Sequence, residues 1–417
     1  MAVRWRYTLF PARLTQWAGP FLLAGAVGLL AAVLVVTSGV LNLSASIPHP
    51  AGWARFLHYT FRRSTAHHAA DIVPPANLGT PAEVAKGAVY YGMVCAHCHG
   101  GPNLGQNPVA LSMRPQPQYL FKEVGGFTPS QLFWIVKHGV KYSAMPSFPV
   151  QDRDDEVWSV VSFLRAMPTM TTARYRQLAY GDGLAASAST AVSPLGARFV
   201  SRRYRLPHDD AWPPESSYMH PAIGFDDFSM TGDVVKTCAR CHTTNGAGAD
   251  GGAIPNIAIL GQGYFRTALN RFANGTRHSG YMQPVAMQLD ETQMAQLAAY
   301  YTAQPRQRSD STAGTPEQLA LGQRIAVVGI PAHGIGACSG CHDVTRAAAK
   351  AFPTIDGQHR LYLAGRLRQF RRAAPPIAGG NPMIAIAHKL EDRDIDAVAA
   401  FYASRAPGAP SPIMTVH

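Results

Sequence analysis

Apolar residues run without a charge from about Trp17 to Leu41. At about 25 residues this stretch can cross a bilayer, and it exceeds an ordinary signal-peptide core. Downstream the apolar positions come in short helical blocks. Thr128-Pro129-Ser130-Gln131 places an N-cap, an N1 proline and a capping-box partner ahead of Leu132-Phe-Trp-Ile-Val136. Asp290 with Gln293 prepares a second helix, where Leu297, Tyr300 and Tyr301 recur at helical spacing. No strand-period run competes, so the pattern predicts an all-α chain: an N-terminal transmembrane helix followed by small helical units.

The pattern divides the chain. Residues 1–45 form the anchor, 46–79 an extended tether rich in Pro and His, and 80–172 the first unit. Residues 173–225 read as an irregular connector, with a disordered spacer as the alternative. It carries the low-complexity run Ala185-Ala-Ser-Ala-Ser-Thr-Ala191 and several prolines. The second and third units, 226–306 and 313–406, repeat one another. From Pro255 and Pro353 alike, Tyr follows at +9 (Tyr264, Tyr362), Leu at +14 (Leu269, Leu367) and Phe at +17 (Phe272, Phe370). Met282 and Met383 each precede a Leu by seven residues (Leu289, Leu390), and Ala-Ala-aromatic-Tyr ends both blocks at Tyr301 and Tyr402. Two gapless blocks indicate a duplicated module. The short linker 304–315 predicts that its two copies pack as a pair.

Charge changes the picture less than the cysteines do. The net charge is +12, and no Asp or Glu occurs before Asp71. Arg4, Arg6 and Arg13 precede the apolar stretch while Arg55, Arg62 and Arg63 follow it, so the positive-inside signal is modest. All six cysteines fall in three copies of Cys-x-x-Cys-His: Cys95/Cys98/His99, Cys238/Cys241/His242 and Cys338/Cys341/His342. In such a motif two thiols add to haem vinyl groups and the imidazole ligates the iron. A redox dithiol needs one copy and no His. Structural zinc wants four ligands close in sequence, whereas these copies lie about 140 and 100 residues apart. The motifs therefore predict three covalently bound haem c groups, with His99, His242 and His342 as proximal ligands. Such attachment occurs outside the bacterial inner membrane. The N-terminus is then cytoplasmic, and the chain beyond about Ser44 is periplasmic. A cleaved signal ending near Ser44-Ala45-Ser46 and a buried core helix are the alternatives. The basic balance fits a membrane surface or an acidic redox partner and not nucleic acid.

The distal ligand decides whether an iron moves electrons or binds substrate. Met145, Met282 and Met383 stand 50, 44 and 45 residues after the first Cys of their motifs. Met287 and Met294 compete in the second unit, and His138, His278 and His388 are rival ligands throughout. His97, between the first pair of cysteines, reads as exposed. The run Arg360, Arg366, Arg368, Arg371 and Arg372 reads either as a docking surface or as propionate partners.

The segment Phe225–Ala406 resembles the dihaem cytochrome c4 family. It does so in its motifs, the Pro, Gly-Gln and Tyr stretch after each, Phe352-Pro-Thr-Ile-Asp-Gly-Gln-His359, and the Met seven residues before Leu. The resemblance implies tandem class I cytochrome c folds with Met282 and Met383 as distal ligands. The second unit departs from it in the Gly261-Gln262 pair, displaced by two residues, and in a short helical lead-in before Cys238. Residues 85–167 resemble single-haem class I cytochromes c through Phe133-Trp-Ile-Val-Lys-His-Gly139 and a Met-Pro loop. There Cys95, Cys98, His99 and Met145 fill the ligand roles, which makes three class I domains in all. The expected function is electron relay from a quinol-linked complex or dehydrogenase towards a terminal acceptor. The alternatives are a haem subunit of a multi-subunit oxidoreductase, such as an alcohol dehydrogenase or terminal oxidase, a peroxidase-like haem enzyme, and a haem-based sensor.

Overall fold

The computed structural model describes residues 17–44, 49–106, 108–111, 113–185, 234–248, 251–307, 314–343, 352–373 and 381–409. Helix α1 (Ala18–Thr37) has 20 residues with a mean hydropathy of 2.4, and none of its side chains is buried. At 1.5 Å per residue it is about 30 Å long, one hydrocarbon thickness.

Helix α2 (Ala51–His68) lies where an extended tether is expected. Prolines 48, 50, 74 and 75 flank this stretch and none falls within it. Trp53, Phe56, Leu57 and Phe61 recur at helical spacing, so the interior propagates a helix that the flanks disguise. Its C-terminal half docks on the first unit: Arg62 donates to Gly126 O at 2.7 Å and stacks over Phe127.

The first unit begins with α3 (Pro81–Tyr90), which continues through a wider π turn, Tyr91–Cys95, and one further turn, Ala96–His99. Helices α4 (Pro129–His138) and α5 (Asp154–Ala166) follow, with the expected Thr128–Gln131 capping box at the start of α4. Crossing of α3 and α5 requires a missing side chain. A Cβ at Gly87 would lie 1.9 Å from Ser159 O, so only glycine lets the backbones meet. Around this crossing Tyr91, Phe163, Tyr175, Phe133 and Trp158 form the core, the last two stacked at 4.3 Å. Helix α6 (Thr172–Ala185), kinked at Gly181, opens the stretch expected to be irregular. It seals the core with Tyr175 and Tyr180, while residues 186–233 lie outside the described set.

The second unit comprises α7 (Val234–His242), α8 (Gln262–Ala273), α9 (Met282–Ala286) and α10 (Glu291–Thr302). The third comprises α11 (Pro316–Val327), α12 (Arg360–Arg372), α13 (Pro382–Ala387) and α14 (Asp392–Ser404). The repeats occupy equivalent places: Leu269 and Leu367, like Tyr301 and Tyr402, are buried in separate cores. The Asp290–Gln293 capping box opens α10. The displaced Gly-Gln pair has a geometric counterpart: Gly261 is the N-cap of α8, whereas His359, two residues beyond Gly357, caps α12. The two units pack as a pair. Gln358 accepts from Asn256 N and donates to Asn256 O, both at 2.8 Å. Among the described residues there are no strands, only the bridges Gly101–Gly105 and Ile330–Ile335.

Candidate functional site

Each Cys-x-x-Cys-His motif closes a helical turn that brings its first thiol and its imidazole to a unit core. None of the six cysteines is paired in a disulfide, and five of them are partly buried. Burial pushes the thiols of Cys95, Cys238 and Cys241 up to about 12 and that of Cys338 up to about 11. Such thiols stay protonated, and their conversion to thioethers leaves no buried charge.

Cys341 is the one exposed cysteine of the six. The third motif occupies a single four-residue turn, Ser339–His342. Cys338 and His342 are four residues apart and share one face of that turn, the face that meets the core. Cys341 is about 100° round the turn from His342, which carries it to the solvent side. Cys241 escapes this because its motif ends the nine-residue helix α7, against which α6 packs.

The three imidazoles share one arrangement. Nδ1 of His99 is 2.7 Å from Gln118 O, that of His242 is 3.1 Å from Pro255 O, and that of His342 is 2.8 Å from Pro353 O. A carbonyl accepts only, so Nδ1 carries the proton and Nε2 keeps its lone pair. Burial lowers all three imidazoles from their ordinary value, which favours the neutral, ligating form. The two prolines are those that anchor the repeat alignment. In the first unit the carbonyl belongs to Gln118, next to Pro117, a partner without a sequence signal.

The methionines also share a device. Met145 N–H donates to Ser143 Oγ at 3.1 Å, Met282 N–H to Ser279 Oγ at 3.1 Å, and Met383 N–H to Asn381 Oδ1 at 3.0 Å. Met282 packs against the same core as Cys238, and Met383 against the same core as Cys338. Met294 is buried within the second core and Met287 is 65% exposed. The rival histidines are engaged elsewhere. The His138 ring lies tilted 5.2 Å from that of Trp134, His278 Nδ1 lies 2.7 Å from Asp152, and His388 Nε2 lies 2.8 Å from Ala373 O. His97 is not exposed as expected. It is buried with Nε2 2.9 Å from Met93 O, because the π turn swings it inward.

The arginine run divides. Arg368 and Arg371 pair with Asp392, and Arg368 also with Asp396. Arg366 instead joins a cluster where the three units approach, stacked over Phe370 as Arg277 is over Phe272. Burial and the neighbouring Arg277 pull Arg366 down to about 10. Arg277 Nε is buried without a partner among the described residues. Burial alone would raise the Tyr362 hydroxyl, but the charges of Arg277, Arg366 and Arg153 outweigh it and lower its pKa. Cations so placed suit carboxylates such as haem propionates. With neutral imidazoles, protonated thiols and capped methionines, these residues fit haem. Sequence reasoning missed Arg153 and Arg277, whose significance depends on neighbours in other units.

Thiol pairs, oriented imidazoles and all-helical units define a c-type cytochrome. A cytochrome c oxidase cbb3-type subunit III model matches residues 82–164, and a cytochrome c model matches residues 233–302. Cytochrome c4 of Thiocapsa roseopersicina is 31% identical over 39% of this chain and 84% of its own length. The thiosulfate dehydrogenase electron acceptor of Stutzerimonas stutzeri is 29% identical over 40% of this chain and 78% of its own. The crystal structure of cytochrome c4 from Pseudomonas stutzeri, 25% identical, is 95% covered by 41% of this chain at a TM-score of 0.36. The chain belongs to the multihaem c-type cytochromes and contains cytochrome c4-like units; such proteins bind haem c covalently and transfer electrons.

Proposed function

We propose that the chain is a membrane-anchored, periplasmic electron relay carrying three haem c groups. The observation that carries this is the threefold Cys-x-x-Cys-His site whose imidazole donates through Nδ1 to a carbonyl. Haem supplies a one-electron Fe(II)/Fe(III) couple when bound. Cys95/Cys98, Cys238/Cys241 and Cys338/Cys341 hold it by thioethers. His99, His242 and His342, together with Met145, Met282 and Met383, would ligate the iron, where sulfur favours the ferrous state. Helix α1 anchors the chain in the inner membrane lipid and raises the local concentration of its haems beside membrane partners.

The donor is a dehydrogenase or quinol-linked complex and the acceptor a terminal oxidase. The Stutzerimonas relative's name, an electron acceptor of thiosulfate dehydrogenase, supports a dehydrogenase as donor. A second reading, the haem subunit of a multi-subunit oxidoreductase, is favoured by the oxidase subunit III match at residues 82–164. Purification in mild detergent tests both. The relay is recovered alone from salt-washed membranes, is reduced by a dehydrogenase and titrates in three high-potential steps. Recovery with a stoichiometric large subunit establishes the second reading. A strongly negative step overturns the Met assignment for that haem.

A further inference from the structure

The second unit's methionine loop is held by the first unit as well as by its own core. Ser279, whose Oγ accepts from Met282 N–H, donates to Glu156 Oε1 at 2.6 Å, and Gly280 N–H donates to Oε2 at 2.6 Å. Glu156 stands in the first turn of α5 in the first unit and is 2% exposed, while Ser279 is 4% exposed. Arg153 fixes that carboxylate at 2.8 Å and donates to His278 O, also at 2.8 Å. Arg153 is held in turn by a two-pronged contact to Asp155, with both bonds at 2.9 Å. Tyr281 completes the grip. Its hydroxyl lies 2.6 Å from Ser159 Oγ, its ring is 4.7 Å from that of Tyr90, and it packs against the first unit's core.

Every residue from His278 to Met282 thus has a partner in the first unit or is one bond removed from one. Among the described residues the equivalent loops show no such contact. Met145 is capped by Ser143, which bonds back to Val140 O, and Met383 is capped by Asn381, each within its own unit. A buried carboxylate taking two short, charge-assisted bonds fixes a backbone far more rigidly than a solvated loop fixes itself.

We propose that Glu156 is a positioning residue for the second haem: through Ser279 it sets the placement of Met282, so docking of the first unit controls that haem's distal ligation and potential. This rests on the reading of Met282 as an iron ligand. The connection makes the second haem the one whose redox equilibrium depends on another unit.

The test uses the full-length, haem-loaded protein with the variants Ser279→Ala, Ser279→Thr, Glu156→Gln and Met282→Ala. The readouts are the weak long-wavelength sulfur-to-iron band of the ferric protein and a stepwise redox titration. Ser279→Ala and Glu156→Gln shift one haem's one-electron equilibrium about tenfold towards the ferric form, about 59 mV, and weaken one haem's share of the band. Ser279→Thr, which keeps the hydroxyl, behaves as the parent. Met282→Ala removes that share entirely. The proposal is overturned if Ser279→Ala and Glu156→Gln leave all three steps unchanged while Met282→Ala removes one share. It is equally overturned if they disturb all three haems alike. An unchanged spectrum in Met282→Ala removes the ligand reading itself, and the proposal with it.

Discussion

The hydroxyls of Tyr264 and Tyr362 meet at one guanidinium. Arg277 Nη1 donates to the first at 3.3 Å and Nη2 to the second at 3.1 Å. Both tyrosines stand nine residues after the proline of their repeat. The duplication therefore brings equivalent positions face to face, and a single arginine of the second unit spans them.

Arg277→Leu leaves two hydroxyls with one partner fewer and should cost about 1–3 kcal/mol in the paired second and third units. A denaturant midpoint lowered at unchanged slope would show it. Arg277→Lys keeps the charge but cannot span both hydroxyls, so it should recover only part of the loss. Because these arginines lower Tyr362, an ultraviolet titration should find one tyrosine ionising below the ordinary 10. That early step should move upward in Arg277→Leu.

Glycine is obligatory at two helix crossings. Gly87→Ala drives a methyl into Ser159 O, and Gly322→Ala drives one to within 2.2 Å of Ala397 O. Neither contact is a flexible side chain that can swing away. Each substitution should destabilise its own unit by about 1–3 kcal/mol or more. Thermal unfolding followed through each haem's absorbance should report the first unit for Gly87→Ala and the third for Gly322→Ala.

The grip between the first and second units should fail in acid. Burial alone would raise the Asp155 carboxyl, but Arg153 and Lys86 outweigh it and hold it well below the usual range. A carboxylate depressed in the folded state stabilises above its unfolded value, about 3.9, and that stabilisation is lost as pH falls through and below it. The Asp155 contribution should therefore show as lower hydrogen-exchange protection at residues 278–282 below about pH 4, offset in part by Glu156, whose carboxyl is raised by burial. In Asp155→Asn the protection should already be lowered at neutral pH, and the acid step due to Asp155 should be absent.

What could be read in advance was local. The Thr128–Gln131 and Asp290–Gln293 boxes, the Met-to-Leu spacing and the three motifs each lie within a few residues of chain, and both boxes cap the helices that the pattern assigns to them. Helix α2 was hidden because prolines mark its boundaries, although Trp53, Phe56 and Leu57 carry a helical period. His97 turned inward because its orientation follows from a π turn that periodicity does not reveal. Cys341 turned outward although its motif reads like the other two, since the motif spells residue types and not what packs beside the turn. Glu156 looked like an ordinary acidic residue in the first turn of a helix. Its burial is made by Ser279 and Gly280, 123 and 124 residues away. No spacing rule encodes a contact of that range.

Haem stoichiometry tests the account most directly. Intact-mass measurement of the purified chain should give the polypeptide plus three haems, and Cys95→Ser/Cys98→Ser, Cys238→Ser/Cys241→Ser and Cys338→Ser/Cys341→Ser should each remove one. A parent chain carrying two haems or fewer, or a double substitution that leaves the count unchanged, would contradict it.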